Sequence, residues 1–330
     1  MMAINDRYSR QIVYFGEKNQ TKLFKAKISI VGCGATGSVV SSLLVRAGIG
    51  SIKIIDRDFV DLSNLQRTEL FTEEDIGKPK AEAAKERLAQ INPEIKIESI
   101  TDDLRQNPEL LKSDLIIDCT DNMETRHLIN EFAVKNSIPW IYGGAIGEEG
   151  MSVSFFGTPC LKCLFPRESR GQLETCETLG ILSPTSHIIG SWQASEATKI
   201  LTGKTKFGVL FNFSTKEPRF DFSKIKQNKN CSVCSQKKFD HLENVTVEKI
   251  TVLCGQNKYQ IIPQKKMKIN LIELENKLKR NPSYKIKSNK FLIHIQNKKN
   301  KMSLFENSRA IVEAKSEKEA NNFYNLIVSS

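Results

Sequence analysis

From residue 27 onward the chain alternates between two hydrophobic periods. Short apolar runs, KISIV (27–31), SIKIID (51–56), IKIESI (95–100), DLIIDCT (114–120) and IPWIYGGAI (138–146), read as strands. Between them, stretches 37–48, 79–91 and 122–136 carry apolar residues at helical spacing. Near-continuous apolar strands separated by helices suit a parallel sheet covered on both faces. The pattern predicts an α/β fold: a Rossmann-like doubly wound, mainly parallel sheet with helices on both faces and ligand at the carboxyl ends of its strands.

Beyond residue 146 the pattern changes. EGMSVSFFG (149–157) reads as a strand leading into the cysteine-bearing turn TPCLKC (158–163). Stretch 185–202 has a helical period that stops at Gly203, a C-terminal cap, and 224–237 is polar and carries cysteines. After a boundary near 238–246, new strands are predicted at 249–254, 258–262, 284–287, 290–296, 301–305 and 309–313, with helices over 271–280 and 316–328. We therefore expect a large domain over 1–240 and a small C-terminal α+β domain over 246–330.

A chain of 330 residues exceeds one ordinary domain, in keeping with that division. No stretch approaches the roughly 20 apolar residues of a membrane span, and no apolar signal region follows Asn5, so a cytoplasmic protein with no membrane partner is expected. The net charge of +11 is unevenly placed. Residues 241–330 hold 17 Lys and Arg against 8 Asp and Glu, a net of +9, which leaves +2 on the first 240. The main domain is nearly neutral. A lysine-rich solvated tail accounts for the excess without invoking nucleic acid.

Candidate chemistry begins at ISIVGCGATG (28–37), where Gly32, Gly34 and Gly37 stand between a strand and a helix start; Asp56 follows 19 positions after Gly37. Such a turn cradles phosphates and places the acid for a ribose. Alone it fits an NAD-dependent oxidoreductase as well as an ATP-using enzyme. The downstream cations separate the two, because an adenylating enzyme must neutralise a triphosphate. Asn64 and Arg67, three apart, are expected to share a helical face, and Lys80 to begin the next helix, so that the three surround phosphates. Asp56, with Asp58 adjoining, would take the ribose of ATP, and Asp121 in DCTDN would hold Mg2+.

Two Cys-x-x-Cys pairs, Cys160/Cys163 and Cys231/Cys234, have 67 residues between them among eight cysteines. Two such turns complete a tetrahedral four-sulfur Zn2+ site, structural because no open position remains. Cys33, Cys119 and Cys254 lie in or beside apolar runs and read as core fillers, and His127 as a helix-surface residue.

DRDFVDLSNLQRTELF (56–71), DIGKPKAEAAKERL (75–88) and DCTDNMETRHLIN (118–130), with RYSRQ (7–11), together resemble the ThiF/MoeB family of sulfur-carrier-protein adenylyltransferases, relatives of the ubiquitin-activating enzymes, over about residues 5–237. The resemblance implies ATP-dependent adenylation of the C-terminal glycine of a small ubiquitin-like sulfur carrier, MoaD-like or ThiS-like, ahead of thiocarboxylate formation for molybdopterin or thiamine. It gives Asp56 to the ribose, Asn64, Arg67 and Lys80 to phosphates, and Asp121 to magnesium. It also implies a homodimer in which Arg10 reaches the partner subunit's nucleotide, a sulfur donor such as a cysteine desulfurase, and a role for Cys176 in receiving the activated carrier. His187 departs from the small or aliphatic residue usual there. The absence of cysteine after Cys254 argues against a rhodanese tail, and the +9 charge suggests steering of an acidic carrier. The alternative is a ThiF-like enzyme that acts on RNA, or on another carrier or peptide.

Overall fold

The computed structural model describes residues 6–166, 179–243, 250–253, 257–263, 268–289 and 291–328. The chain divides into two compact units, Met1–Val245 and Thr246–Ser330. In the first, the apolar runs become β1 (Lys27–Val31), β2 (Ser51–Ile55), β3 (Lys96–Ile100), β4 (Leu115–Asp118) and β5 (Trp140–Ile146), followed by β6 (Glu149–Phe155), β7 (Val209–Ser214) and β8 (Arg219–Lys224). They form one sheet in the order β3-β2-β1-β4-β5-β6-β7-β8. Strands β3 to β5 in that order are parallel, and β6, β7 and β8 continue antiparallel.

Alternation along the strands feeds two apolar layers. Ile28, Ile30, Ile52, Ile54, Leu115 and Ile117 pack with Leu23, Val40, Leu44, Leu88, Ala194 and Ala197 on one face. These partners lie on α2 (Glu17–Lys25), α3 (Ala35–Ala47), α4 (Lys80–Ile91) and α6 (Ser183–Thr202). Val31, Ile55 and Ile116 face the other way, onto Leu128, Ile129 and Phe132 of α5 (Met123–Asn136). The strand order reverses direction between β1 and β4, which makes the crevice at their carboxyl ends the place for a ligand.

Two features differ from the sequence expectation. Helices α1 (Ser9–Phe15) and α2 were not marked by the pattern, and neither was the β7–β8 hairpin. The hairpin carries a clear period of two on one side only: Phe211 is buried, while Phe220 and Phe222 are exposed and stack across it.

The second unit is a six-stranded antiparallel sheet, β11-β12-β13-β14-β10-β9, formed by Lys285–Ser288, Leu292–Gln296, Lys301–Phe305, Ala310–Glu313, Lys258–Ile261 and Ile250–Leu253. Helices α7 (Leu271–Leu278) and α8 (Glu317–Val328) cover one face, where Phe323, Tyr324 and Ile327 meet Ile293, Ile295, Leu304 and Val312. Among the described residues, no helix is long and apolar enough to cross a membrane.

Candidate active site

The glycine turn is held by close backbone approach. Gly32 has φ +87°, and a Cβ there would lie 2.6 Å from the Cys119 carbonyl oxygen. At Gly37, in the first turn of α3, a Cβ would fall on the Gly32 carbonyl oxygen and 3.2 Å from the Cys119 Cβ. Gly34 is different: it caps α3 without a side-chain bond, and a Cβ there would meet nothing within 4 Å. A helix start leaves its first N–H groups without intrahelical partners, so this open corner suits an anion.

Asp56 follows β2 and is buried. Its Oδ2 accepts from the Cys33 N–H at 2.6 Å and its Oδ1 from the Asp58 N–H at 2.7 Å, which locks the carboxylate beneath the glycine turn. Burial pushes the Asp56 carboxyl up, and Lys80 opposes that rise. Lys80 opens α4 with its Nζ 3.6 Å from Asp58 Oδ2. Burial works against its charge, but Asp58, Asp56 and Asp121 outweigh burial and raise the ammonium's pKa, so it stays a cation. Asp121 lies exposed past β4, before Asn122, whose Oδ1 accepts the Thr125 N–H and caps α5. One cation, three carboxylates and an open helix start thus converge at the carboxyl ends of β1, β2 and β4.

Asn64 and Arg67 stand on a 3-10 turn, Leu62–Asn64, and the turn that follows, rather than on an α-helix. The two are linked by an i to i+3 backbone bond, in which Arg67 N–H donates to Asn64 O at 3.1 Å. Asn64 Oδ1 accepts from the Asp61 N–H, and Arg67 Nη1 donates to Ser63 O at 2.8 Å.

Sequence reasoning missed a buried polar group beside Asp121. Asp118 ends β4, accepts from Thr120 Oγ1 at 2.6 Å, and pairs with Arg126 Nε at 3.2 Å. Arg126 also donates to the carbonyls of Thr120 and Gly143 and lies over the Tyr142 ring. Gln193 of α6 donates to Asp118 O at 2.7 Å. These bonds fix the strand end that presents Asp121. In the sequence Arg126 is one of several polar residues in this helix, so nothing set it apart. His127 is a correction: it is buried and stacks on His241 at 5.0 Å, whose Nδ1 lies 2.9 Å from the buried Glu131.

The four paired cysteines meet. Their sulfurs all lie within 4.8 Å of one another, with Cys160 Sγ 3.7 Å from Cys231 and Cys163 Sγ 3.5 Å from Cys234. Zinc with Zn–S bonds of about 2.3 Å sets tetrahedral ligands about 3.8 Å apart, so the cluster fits that ion. Burial and crowding raise the Cys160 thiol pKa. Burial alone would do the same to Cys231, but N–H groups of Cys234 and Val233 aimed at its sulfur bring it down. Four sulfurs so placed can all ionise only against a cation.

Arg10 is exposed on α1, where Val13 and Tyr14 are exposed with it. Cys176 and Cys254 lie outside the described residues. Cys33 and Cys119 are buried in the main apolar layer, with thiols pushed up chiefly by burial. His187 Nδ1 lies 2.8 Å from Ser183 O, and its Nε2 lies 3.3 Å from Glu69.

The sequence pattern of the ThiF family matches residues 8–233. The chain is 40% identical over 266 residues to the sulfur carrier protein ThiS adenylyltransferase of Bacillus subtilis, covering 77% of this chain and 79% of that one. It is 36% identical over 240 residues to the molybdopterin-synthase adenylyltransferase of Escherichia coli, covering 70% and 96%. In fold it is similar to the crystal structure of E. coli MccB with ATP, with a TM-score of 0.61 and 25% identity over 70% of this chain and 74% of that one. On its sequence, the chain belongs to the ThiF family.

Proposed function

We propose that this protein is a cytoplasmic adenylyltransferase that activates the C-terminal glycine of a small ubiquitin-like sulfur carrier, ThiS-like or MoaD-like. The observation that carries this reading is the convergence of Lys80, Asp56, Asp58 and Asp121 on an open helix start, where Lys80 and unpaired helix N–H groups can take phosphate oxygens and a ribose has a buried carboxylate.

The α3 N–H groups at Gly34 receive phosphate oxygens, and Asp56 keeps lone pairs for a ribose hydroxyl after its two backbone bonds. Lys80, Arg67 and Asn64 bind the triphosphate, and Arg10 of a second copy reaches it across a homodimer. Asp121 is the carboxylate that would hold magnesium, which supplies charge neutralisation when bound. The carrier's terminal carboxylate oxygen attacks the α-phosphorus. The Pα–O bond to the β-phosphate breaks, giving acyl-adenylate and pyrophosphate, with no proton to be moved because the carboxylate is already ionised near neutral pH. Catalysis is then positioning and charge stabilisation by fixed cations. A sulfur nucleophile from a donor, such as a cysteine desulfurase, then displaces AMP from the acyl-adenylate on the way to the thiocarboxylate, and the role we give Cys176 is to receive the activated carrier. Zinc on Cys160, Cys163, Cys231 and Cys234 ties the 228–236 turn to the 160–163 turn.

The exposed Phe220 and Phe222 on β8, an edge strand, offer an apolar face to the carrier's body, and the basic 246–330 unit steers it if it is acidic. ATP–pyrophosphate exchange with each candidate carrier, intact and lacking its terminal glycine, tests the reading. Exchange with one intact carrier only names the pathway, and exchange with neither refutes the proposal. If deleting 246–330 leaves carrier affinity and its salt dependence unchanged, steering is wrong.

A further inference from the structure

The carboxyl ends of β2, β3 and β4 are joined by an ion network that none of these roles uses. Asp103, in the turn after β3 and only 7% exposed, accepts from Arg57 Nη1 at 2.9 Å, from Arg105 Nη2 at 2.7 Å and from Arg105 Nε at 3.0 Å. Arg57 stands between Asp56 and Asp58 and approaches the Asp58 carboxylate at 4.0 Å. Arg105, equally buried, continues to Glu124 Oε2 at 3.1 Å in the first turn of α5, three residues past Asp121. Burial disfavours the Asp103 charge, yet the two guanidinium groups hold its carboxyl well below the usual carboxylate range.

These loops leave the main sheet at their strand ends, and the one after β2 is tied further on to the start of α4 by the Lys80 N–H to Asp58 O and Val60 N–H to Lys78 O bonds. Their tips carry the groups a nucleotide would span, and a guanidinium fork fixes distance and plane together. We infer that Asp103 is a positioning residue for the nucleotide. Through Arg57 on one side and Arg105 and Glu124 on the other, it sets the spacing between the Asp56–Asp58 loop and Asp121. This inference rests on the reading of the crevice as an ATP site.

The sign of the effect separates positioning from simple electrostatics. Asp103→Asn and Glu124→Gln each remove a negative charge near a bound polyanion, so Coulomb attraction alone predicts tighter ATP binding. Positioning predicts the reverse: about tenfold weaker binding for Asp103→Asn and about threefold for Glu124→Gln, the scale seen when groups that orient primary ligands are lost. The measurement is calorimetric titration of the full chain with ATP and Mg2+, without carrier, well below each variant's unfolding temperature. Glu124 is 59% exposed, so its variant folds and carries the test if Asp103→Asn does not. Unchanged or tighter ATP binding in the folded variants, with wild type binding normally, overturns the inference alone. A wild type that does not bind ATP overturns the ATP reading and the inference with it.

Discussion

Replacing Gly34 by alanine separates a glycine the fold needs from one a ligand needs. A Cβ at Gly34 meets nothing within 4 Å. Stability should therefore move by less than about 1 kcal/mol, a shift of no more than about 2–4 °C in the unfolding midpoint of a unit this size. Yet the methyl group would occupy the corner onto which the α3 N–H groups open. A phosphate oxygen must come within about 2.9 Å of an N–H to be held, whereas carbon and oxygen keep about 3.3 Å or more. Displacing the triphosphate by about 1 Å costs on the order of 10²-fold in rate. Gly37→Ala is the comparison: its Cβ collides with backbone at Gly32, and α3 cannot yield freely because Gly190 of α6 packs against Val39. That variant should lose roughly 1–3 kcal/mol of stability as well as activity. Carrier-dependent pyrophosphate exchange and thermal unfolding, run side by side, check both. A Gly34→Ala protein with wild-type ATP affinity and rate would refute the anion-cradle reasoning.

Arg67→Ala should lower adenylation on the order of 10²–10³-fold with the fold intact; an unchanged exchange rate sinks that assignment. Elemental analysis should find one zinc per chain. Chelation or Cys231→Ser should destabilise the first unit by more than about 3 kcal/mol, and a fully stable metal-free protein contradicts the structural role. Asp75 supplies a pH dependence. Burial disfavours its charge, but bonds from Lys78, Thr72 and Arg87 prevail and lower its pKa on folding. Its stabilisation is therefore full above the unfolded carboxyl value and lost as pH falls through the lower folded one. Denaturant melts between about pH 5 and about pH 3 should show a shallower decline for Asp75→Asn than for wild type, and identical slopes would remove Asp75 from the acid limb.

The parallel half of the sheet was legible because its strands are buried on both faces and read as apolar runs, and because Gly32, Gly37 and Asp56 mark the β1–α3–β2 unit. Helices α1 and α2 were not, since their polar residues take partners far along the chain, as Gln11 and Gln20 do by donating to Ala47 O. Helix α5 buries Arg126, His127, Asn130 and Glu131 together with its apolar residues. That mixture hid both the buried His127 and the Asp118–Arg126 pair, because a polar residue's burial depends on a partner that spacing does not reveal. The cysteine pairs were the opposite case. Their chemistry demands convergence whatever lies between, and the fold brings all four together.

The step on which the proposed function turns is adenylation of a carrier's terminal carboxylate at this crevice. Intact mass analysis of ThiS-like and MoaD-like carriers, incubated with the protein, ATP and Mg2+, tests it most directly. The carrier should become heavier by one adenylyl group, and only when the terminal glycine is present and the protein retains Arg67. Carriers that stay unmodified with an ATP-saturated protein would contradict it.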